Sequence, residues 1–128
     1  MNREIIFKGK SEVSGKWCYG NLQLRKGDDC IITPDDTPLG TYGKVDRNTV
    51  GQFTGLKDKN GVEIYEGDIV KVTWGEENIG QVIYEYNGFT VDVMNMNRPY
   101  GRVNLLNNFA VVIGNIYENP ELLKESEE

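Results

Sequence analysis

Nothing limits the folds open to this chain more than residues 54–72, where two glycine turns lead directly into its clearest strand. Asn60-Gly61 supplies the positive φ values of a tight turn, since Gly has no Cβ and Asn tolerates the left-handed region. Glu66-Gly67-Asp68 marks a second turn. Beyond it the side chains alternate, with Val70, Val72 and Trp74 on one face and Ile69, Lys71 and Thr73 on the other, which is the period of a strand. Asp68 and Glu66 are expected to shape that turn by accepting backbone amides.

Asn87-Gly88 is a second two-residue turn, predicted to pair Tyr86 with Phe89, Tyr84 with Val91 and Val82 with Val93. All six are apolar and share a face, while Gln81, Glu85, Thr90 and Asp92 take the other. A slip of one residue would turn the apolar set toward water. Ile83 and Met94 interrupt the polar face. Fifteen glycines, with many Asn and Asp residues, supply the turns of a mainly β chain.

Earlier in the chain, Ile5 with Phe7, Trp17 with Tyr19 and Leu22 with Leu24 read as short strands, and Cys30-Ile31-Ile32 as another. Asp28-Asp29 marks a turn, and the segment from Pro34 to Gly40 is a loop, because its prolines and aspartates disfavour helix and ladder alike. Asp46 is placed to cap a single helical turn through Arg47, Asn48 and Thr49. Gly75-Glu76-Glu77-Asn78 is expected to turn the chain. Residues 109–117 read as a last strand, apolar enough to be buried on both faces. Pro120 then permits a short helix from Glu121 to Lys124 before a frayed, charged tail.

The 128 residues suffice for one domain with a real core. No basic start followed by an apolar run suggests a secretory signal, and the longest apolar run, residues 109–113, is too short to cross a bilayer. A soluble, cytoplasmic protein without membrane contact is expected. Cys18 and Cys30 are too few for a zinc site in a chain without histidine, and two half-buried free thiols are the expectation. Net charge is −6, unevenly spread: residues 1–26 carry a local excess of +4 and residues 118–128 of −4. An acidic chain lacks the general attraction to phosphate that supplies much of nucleic-acid affinity. The basic start, with Lys8, Lys10 and Lys16, is the exception and the candidate nucleic-acid contact.

The absence of histidine removes the commonest general base and excludes Ser-His and Cys-His nucleophile pairs. Residues 55–61 have the glycine spacing of a phosphate loop but lack the Lys-Ser/Thr that must follow. A calcium loop centred on Gly61 would place Leu56 and Gly67 where carboxylates are required. Asp58, Glu63, Glu66 and Asp68 are the one cluster of chemically useful groups. Glu66 and Asp68, two apart, would face the same way on an extended segment. A turn-shaping role is favoured over catalysis, so no catalytic residue, cofactor or metal ligand is assigned. Trp17, Tyr19, Trp74, Tyr84, Tyr86 and Phe89 are of the type that stacks on bases, but strand periodicity places most of them in a core. Met94, Met96, Arg98 and Tyr100, in an irregular segment, are of types enriched at protein interfaces and form the candidate protein interface.

Several stretches together resemble the YopX family of phage- and prophage-encoded small proteins. Arg3-Glu4-Ile5-Ile6-Phe7-Lys8-Gly9-Lys10 looks like the family's opening strand and Gly15-Lys16-Trp17-Cys18-Tyr19-Gly20 like its next. The segment from Val45 to Gly55 leads into the 54–72 core as the family's does, and the segment from Val112 to Leu123 resembles its C-terminal signature. The resemblance covers nearly the whole chain in order. It implies an all-β protein, an N-terminal β part (1–55) packed on an SH3-like small barrel (60–117), with an acidic tail (118–128). The family carries no established activity. The expected role is a non-enzymatic phage or prophage accessory protein that binds a phage or host protein, or itself as a homo-oligomer, because edges of small barrels invite self-association. Two alternatives stand beside it: a nucleic-acid-associated module using the basic strands and an aromatic face, and, less favoured, a carboxylate- or metal-dependent enzyme.

Overall fold

The computed structural model describes residues 5–25, 30–33, 43–74, 76–85, 88–92, 102–104 and 110–124. The chain is mainly β, in antiparallel pairings, and divides into two compact units between Phe53 and Thr54. Among the described residues no helix is long and apolar enough to cross a membrane.

The first unit contains β1 (Phe7–Lys10), β2 (Trp17–Leu24), β3 (Cys30–Thr33), β4 (Gly43–Val45) and the start of β5 (Gly51–Lys57), in the order β4-β3-β2-β1-β5. Phe7 lies opposite Gly20, Leu22 opposite Ile32, and Cys30 opposite Val45. This register carries Cys30, Ile32 and Val45 into a buried cluster, with Phe7, Cys18, Leu22 and Val50 packed around it. Gly9 sits where this packing is tightest: a Cβ there would lie 2.9 Å from Val45 Cγ2 and 3.2 Å from Ile32 Cδ1. Both cysteines are free thiols, Cys18 half-buried as expected but Cys30 fully buried, because its strand register carries it into the core cluster.

Two expectations change here. Leu22 and Leu24 do not start a strand of their own, because β2 runs unbroken from Trp17 to Leu24. The core face of β2 is that of Cys18, Gly20 and Leu22, which leaves Trp17 and Tyr19 on the opposite face, Tyr19 48% exposed. The apolar weight of the two aromatic rings misleads; the smaller Cys18 and Gly20 share the core face, opposite Gly9 and Phe7 on the neighbouring strand. Ile5 and Leu24, at the ends of the pattern, are each 61% exposed.

Asp46 does cap a helical turn. Its carboxylate accepts the Asn48 N–H at 3.0 Å, opening a 3-10 helix at Arg47–Thr49. Thr49 closes the turn from within: its hydroxyl donates to the Asp46 carbonyl at 2.6 Å and accepts the Lys10 N–H at 2.8 Å.

The second unit takes up β5, which neighbours β6 (Glu63–Tyr65). Its main sheet has the order β10-β9-β8-β7-β11, built from β7 (Asp68–Trp74), β8 (Glu76–Glu85), β9 (Gly88–Asp92), β10 (Arg102–Asn104) and β11 (Ala110–Asn115). Ile64, Val70, Val72, Val82, Val91 and Ala110 form its core, with Leu56, Phe89 and Val112 against it. A short helix α1 (Glu121–Lys124) follows Pro120, as the sequence predicts.

The β8–β9 hairpin forms in a different register from the predicted one. Tyr84 lies opposite Phe89, Val82 opposite Val91, and Glu85 opposite Gly88. One strand is displaced by two residues, so every side chain keeps its face; a period-two pattern cannot distinguish registers two apart. The predicted partners Tyr86 and Val93 lie outside the described residues. Glu76, Glu77 and Asn78 belong to β8 rather than to a turn, and Asn78, opposite Val72, is buried at 1% exposure. Ile69, on the face opposite Val70 and Val72, is fully buried too. The last strand stops at Asn115, not Tyr117, because the Asn115 side-chain oxygen accepts the N–H groups of Tyr117 at 3.0 Å and Glu118 at 2.9 Å and bends the chain. Its Val111, Val112 and Ile113 are half-buried, not enclosed on both faces, and a register shift falls between Val112 and Gly114. The segments around Asp28-Asp29, Pro34 to Gly40 and Met94 to Gly101, and the acidic tail beyond Lys124, lie outside the described residues.

Candidate functional site

The acidic cluster of the second unit begins with Asp58, which follows β5 and is 5% exposed. Its Oδ1 accepts the N–H groups of Asn60 at 2.8 Å and Val62 at 2.9 Å, the arrangement of an Asx turn. Its Oδ2 accepts the Val112 N–H of β11 at 2.9 Å. The backbone closes the same turn: Gly61 N–H donates to the Asp58 carbonyl at 3.0 Å, and Asp58 N–H to the Val62 carbonyl at 2.8 Å. Gly61 takes φ +83°, a conformation suited to glycine. Burial alone pushes the Asp58 pKa up. The amides of Val112, Val62 and Asn60, with the Lys59 charge, more than offset this and hold it below the ordinary 3.8. With both oxygens occupied and its basicity lowered, Asp58 is poorly suited to proton transfer.

Asp68 is 3% exposed, and its Oδ2 accepts the Tyr65 N–H at 2.8 Å across the turn between β6 and β7. Gly67 in that turn has φ +93°, donates its N–H to the Val82 carbonyl at 2.9 Å and accepts from Ile116 N–H at 3.0 Å. Glu63 accepts the Tyr65 hydroxyl at 3.1 Å. Asp68 therefore braces the turn as expected, and Glu66 is half-buried beside it. Among the described residues no three acidic, Cys or His side chains are gathered in a way that would hold a metal.

The candidate nucleic-acid residues lie in the first unit. Lys10 is opposite Trp17 and Lys8 opposite Tyr19, so β1 and β2 present all four on one face. Lys8 is only 6% exposed, its Nζ 4.7 Å from the Trp17 ring centroid. This cation–π contact orients Lys8 along the sheet rather than out to solvent. Lys10 is half-buried and Lys16 exposed, next to Trp17. In the second unit Tyr84 and Phe89 meet edge to face, ring centroids 5.0 Å apart, with Tyr84 57% exposed. Met94, Met96, Arg98 and Tyr100 lie outside the described residues.

Sequence reading placed Asp58 in the acidic cluster and missed its span from turn to strand. The spacing Asp58-Lys59-Asn60-Gly61 carried the local part of the signal, since an aspartate two residues before an amide it can accept is an Asx-turn pattern. The bond to Val112, 54 residues away, has no local signature.

Comparison with solved structures finds the crystal structure of protein EF1440 from Enterococcus faecalis, with a TM-score of 0.59 and 26% identity over 95% of this chain and 99% of that one. No curated protein matches. The family description "YopX protein" matches residues 6–124.

Proposed function

The chain belongs to the YopX family, and from that premise we propose that it is a phage or prophage accessory protein that works by binding, not catalysis. Its partner is a phage or host protein or a further copy of itself, met in the cytoplasm, and no cofactor takes part. The finer fold proposed for residues 60–117 is an SH3-like small barrel, an architecture that carries many unrelated functions.

The observation that supports a binding role is the commitment of the buried carboxylates of Asp58 and Asp68. Asp58, with both of its oxygens, and Asp68, with its Oδ2, accept backbone amides. The surface meanwhile offers large apolar groups, Tyr84 among them, and the sequence adds residue types enriched at interfaces at Met94, Met96, Arg98 and Tyr100. A tagged pull-down from phage-infected cells, with and without nuclease, tests this. A nuclease-resistant partner, lost on Tyr84→Ser or Met96→Ser, is expected. Recovery of the bait alone, and as a monomer by sedimentation, would overturn the reading.

A second reading has one observation in its favour: Lys8, Lys10, Trp17 and Tyr19 share a face of the first unit. A nucleic-acid module built on that face would bind with strong salt dependence, weakened by Lys10→Glu. Binding that ignores both salt and that substitution counts against it.

A further inference from the structure

β11 is an edge strand of the five-stranded sheet, with β7 on its inner side. An edge strand offers its outward N–H and C=O groups as a template for another chain. The invitation is strong here, because Ala110-Val111-Val112-Ile113 is uncharged and β-branched at three of four positions. Yet two of the outward groups are already met. Lys59 N–H donates to the Ala110 carbonyl at 3.2 Å, and the Asp58 carboxylate accepts Val112 N–H at 2.9 Å. A turn thus stands where a further strand would pair, with a carboxylate oxygen in the place of that strand's carbonyl.

We propose that the turn at residues 58–62 is a removable cover over the β11 edge, and that its release opens the edge to antiparallel pairing with β11 of a second copy. The second copy is the fitting occupant because an identical strand, placed antiparallel about a two-fold axis, satisfies both edges at once. The apolar run is self-complementary and carries no charge to repel itself. The cover holds through one charged acceptor and one weaker backbone bond, so changing a single side chain releases most of it. This inference does not depend on which partner the protein serves.

The test is the oligomeric state of the full chain by sedimentation velocity across a concentration series. Asp58→Ala is expected to associate about tenfold or more tightly than the wild type, or to pass to a larger species, the gain of one or two backbone bonds. Val111→Lys added to it should restore the wild-type state, because a lysine on an edge strand blocks pairing. Should Asp58→Ala fail to fold, Asp58→Asn is read instead, since it keeps an oxygen for Asn60 and Val62 while presenting an NH2 group to Val112. A folded Asp58 variant that keeps the wild-type oligomeric state overturns the proposal. So does association that Val111→Lys leaves unchanged.

Discussion

Replacing Asp58 with alanine takes the acceptor from three backbone amides at once, those of Asn60, Val62 and Val112. Each bond ends on a charged oxygen, a class that contributes roughly 1.5–3 kcal/mol. The sum overstates the loss, because Asn60 and Val62 lie on an exposed turn and can take water instead. Val112, half-buried on the sheet edge beneath the turn, is less open to solvent than they are. The expected cost is about 3–5 kcal/mol, a large part of a typical domain's stability. Asp58→Asn, which keeps one oxygen, should lose about half as much. Urea denaturation at pH 7 measures both. The pH dependence supplies an independent sign. The folded pKa of Asp58 lies below its ordinary 3.8, so its contribution is fully present above that value and is lost as pH falls through the folded pKa. The gap between wild type and Asp58→Asn should therefore be flat from about pH 5 upward and narrow below about pH 4. An Asp58→Ala protein within about 1 kcal/mol of wild type, with an unchanged m-value, would refute the reasoning.

Three other substitutions probe separate parts of the molecule. Gly9→Ala drives a Cβ to 2.9 Å from Val45 Cγ2 and should cost about 1–3 kcal/mol, seen as a lower Tm; an unchanged Tm would show that the core yields there. Thr49→Val leaves Lys10 N–H without its hydroxyl acceptor and should cost about 1–2 kcal/mol in urea, whereas Thr49→Ser should recover most of it. Tyr84→Ser removes a ring that is largely in water and meets Phe89 edge to face, so a stability loss of only about 1 kcal/mol is expected. A loss above about 3 kcal/mol would mean that Tyr84 belongs to the core.

What the sequence could and could not foretell follows from the range of the interactions. The Asp46 cap, the turn glycines Gly61 and Gly67, the strand at Cys30 and the helix after Pro120 depend on neighbours within a few residues, and all were legible. The β8–β9 hairpin was legible in kind and in face, but its register was not, because alternation repeats every two residues. Trp17 and Tyr19 misled because hydrophobicity does not say which face of β2 must be thin enough to meet Gly9. Asn78 was invisible as a buried group, since nothing local marks a polar residue set opposite Val72. Of the site, the bracing role of Asp68 could be read from its turn; that of Asp58 could be read only in half. The Met94 to Tyr100 stretch remains a proposal of composition.

The two oxygens of Asp58 also belong to different moments in the life of the chain. Oδ1 finds its amides within four residues, so that part of the turn can form as soon as the segment leaves the ribosome. Oδ2 waits for Val112, 54 positions later, and its bond can close only when the last strand has been made and docked. Contacts of such long separation are paid in loop entropy before they return anything, and they tend to form late. A nascent chain cut short before Val112 would carry a finished turn around a carboxylate with one oxygen still in water. The closing of that oxygen onto β11 then marks, in a single hydrogen bond, that the turn after β5 and the β11 strand have met.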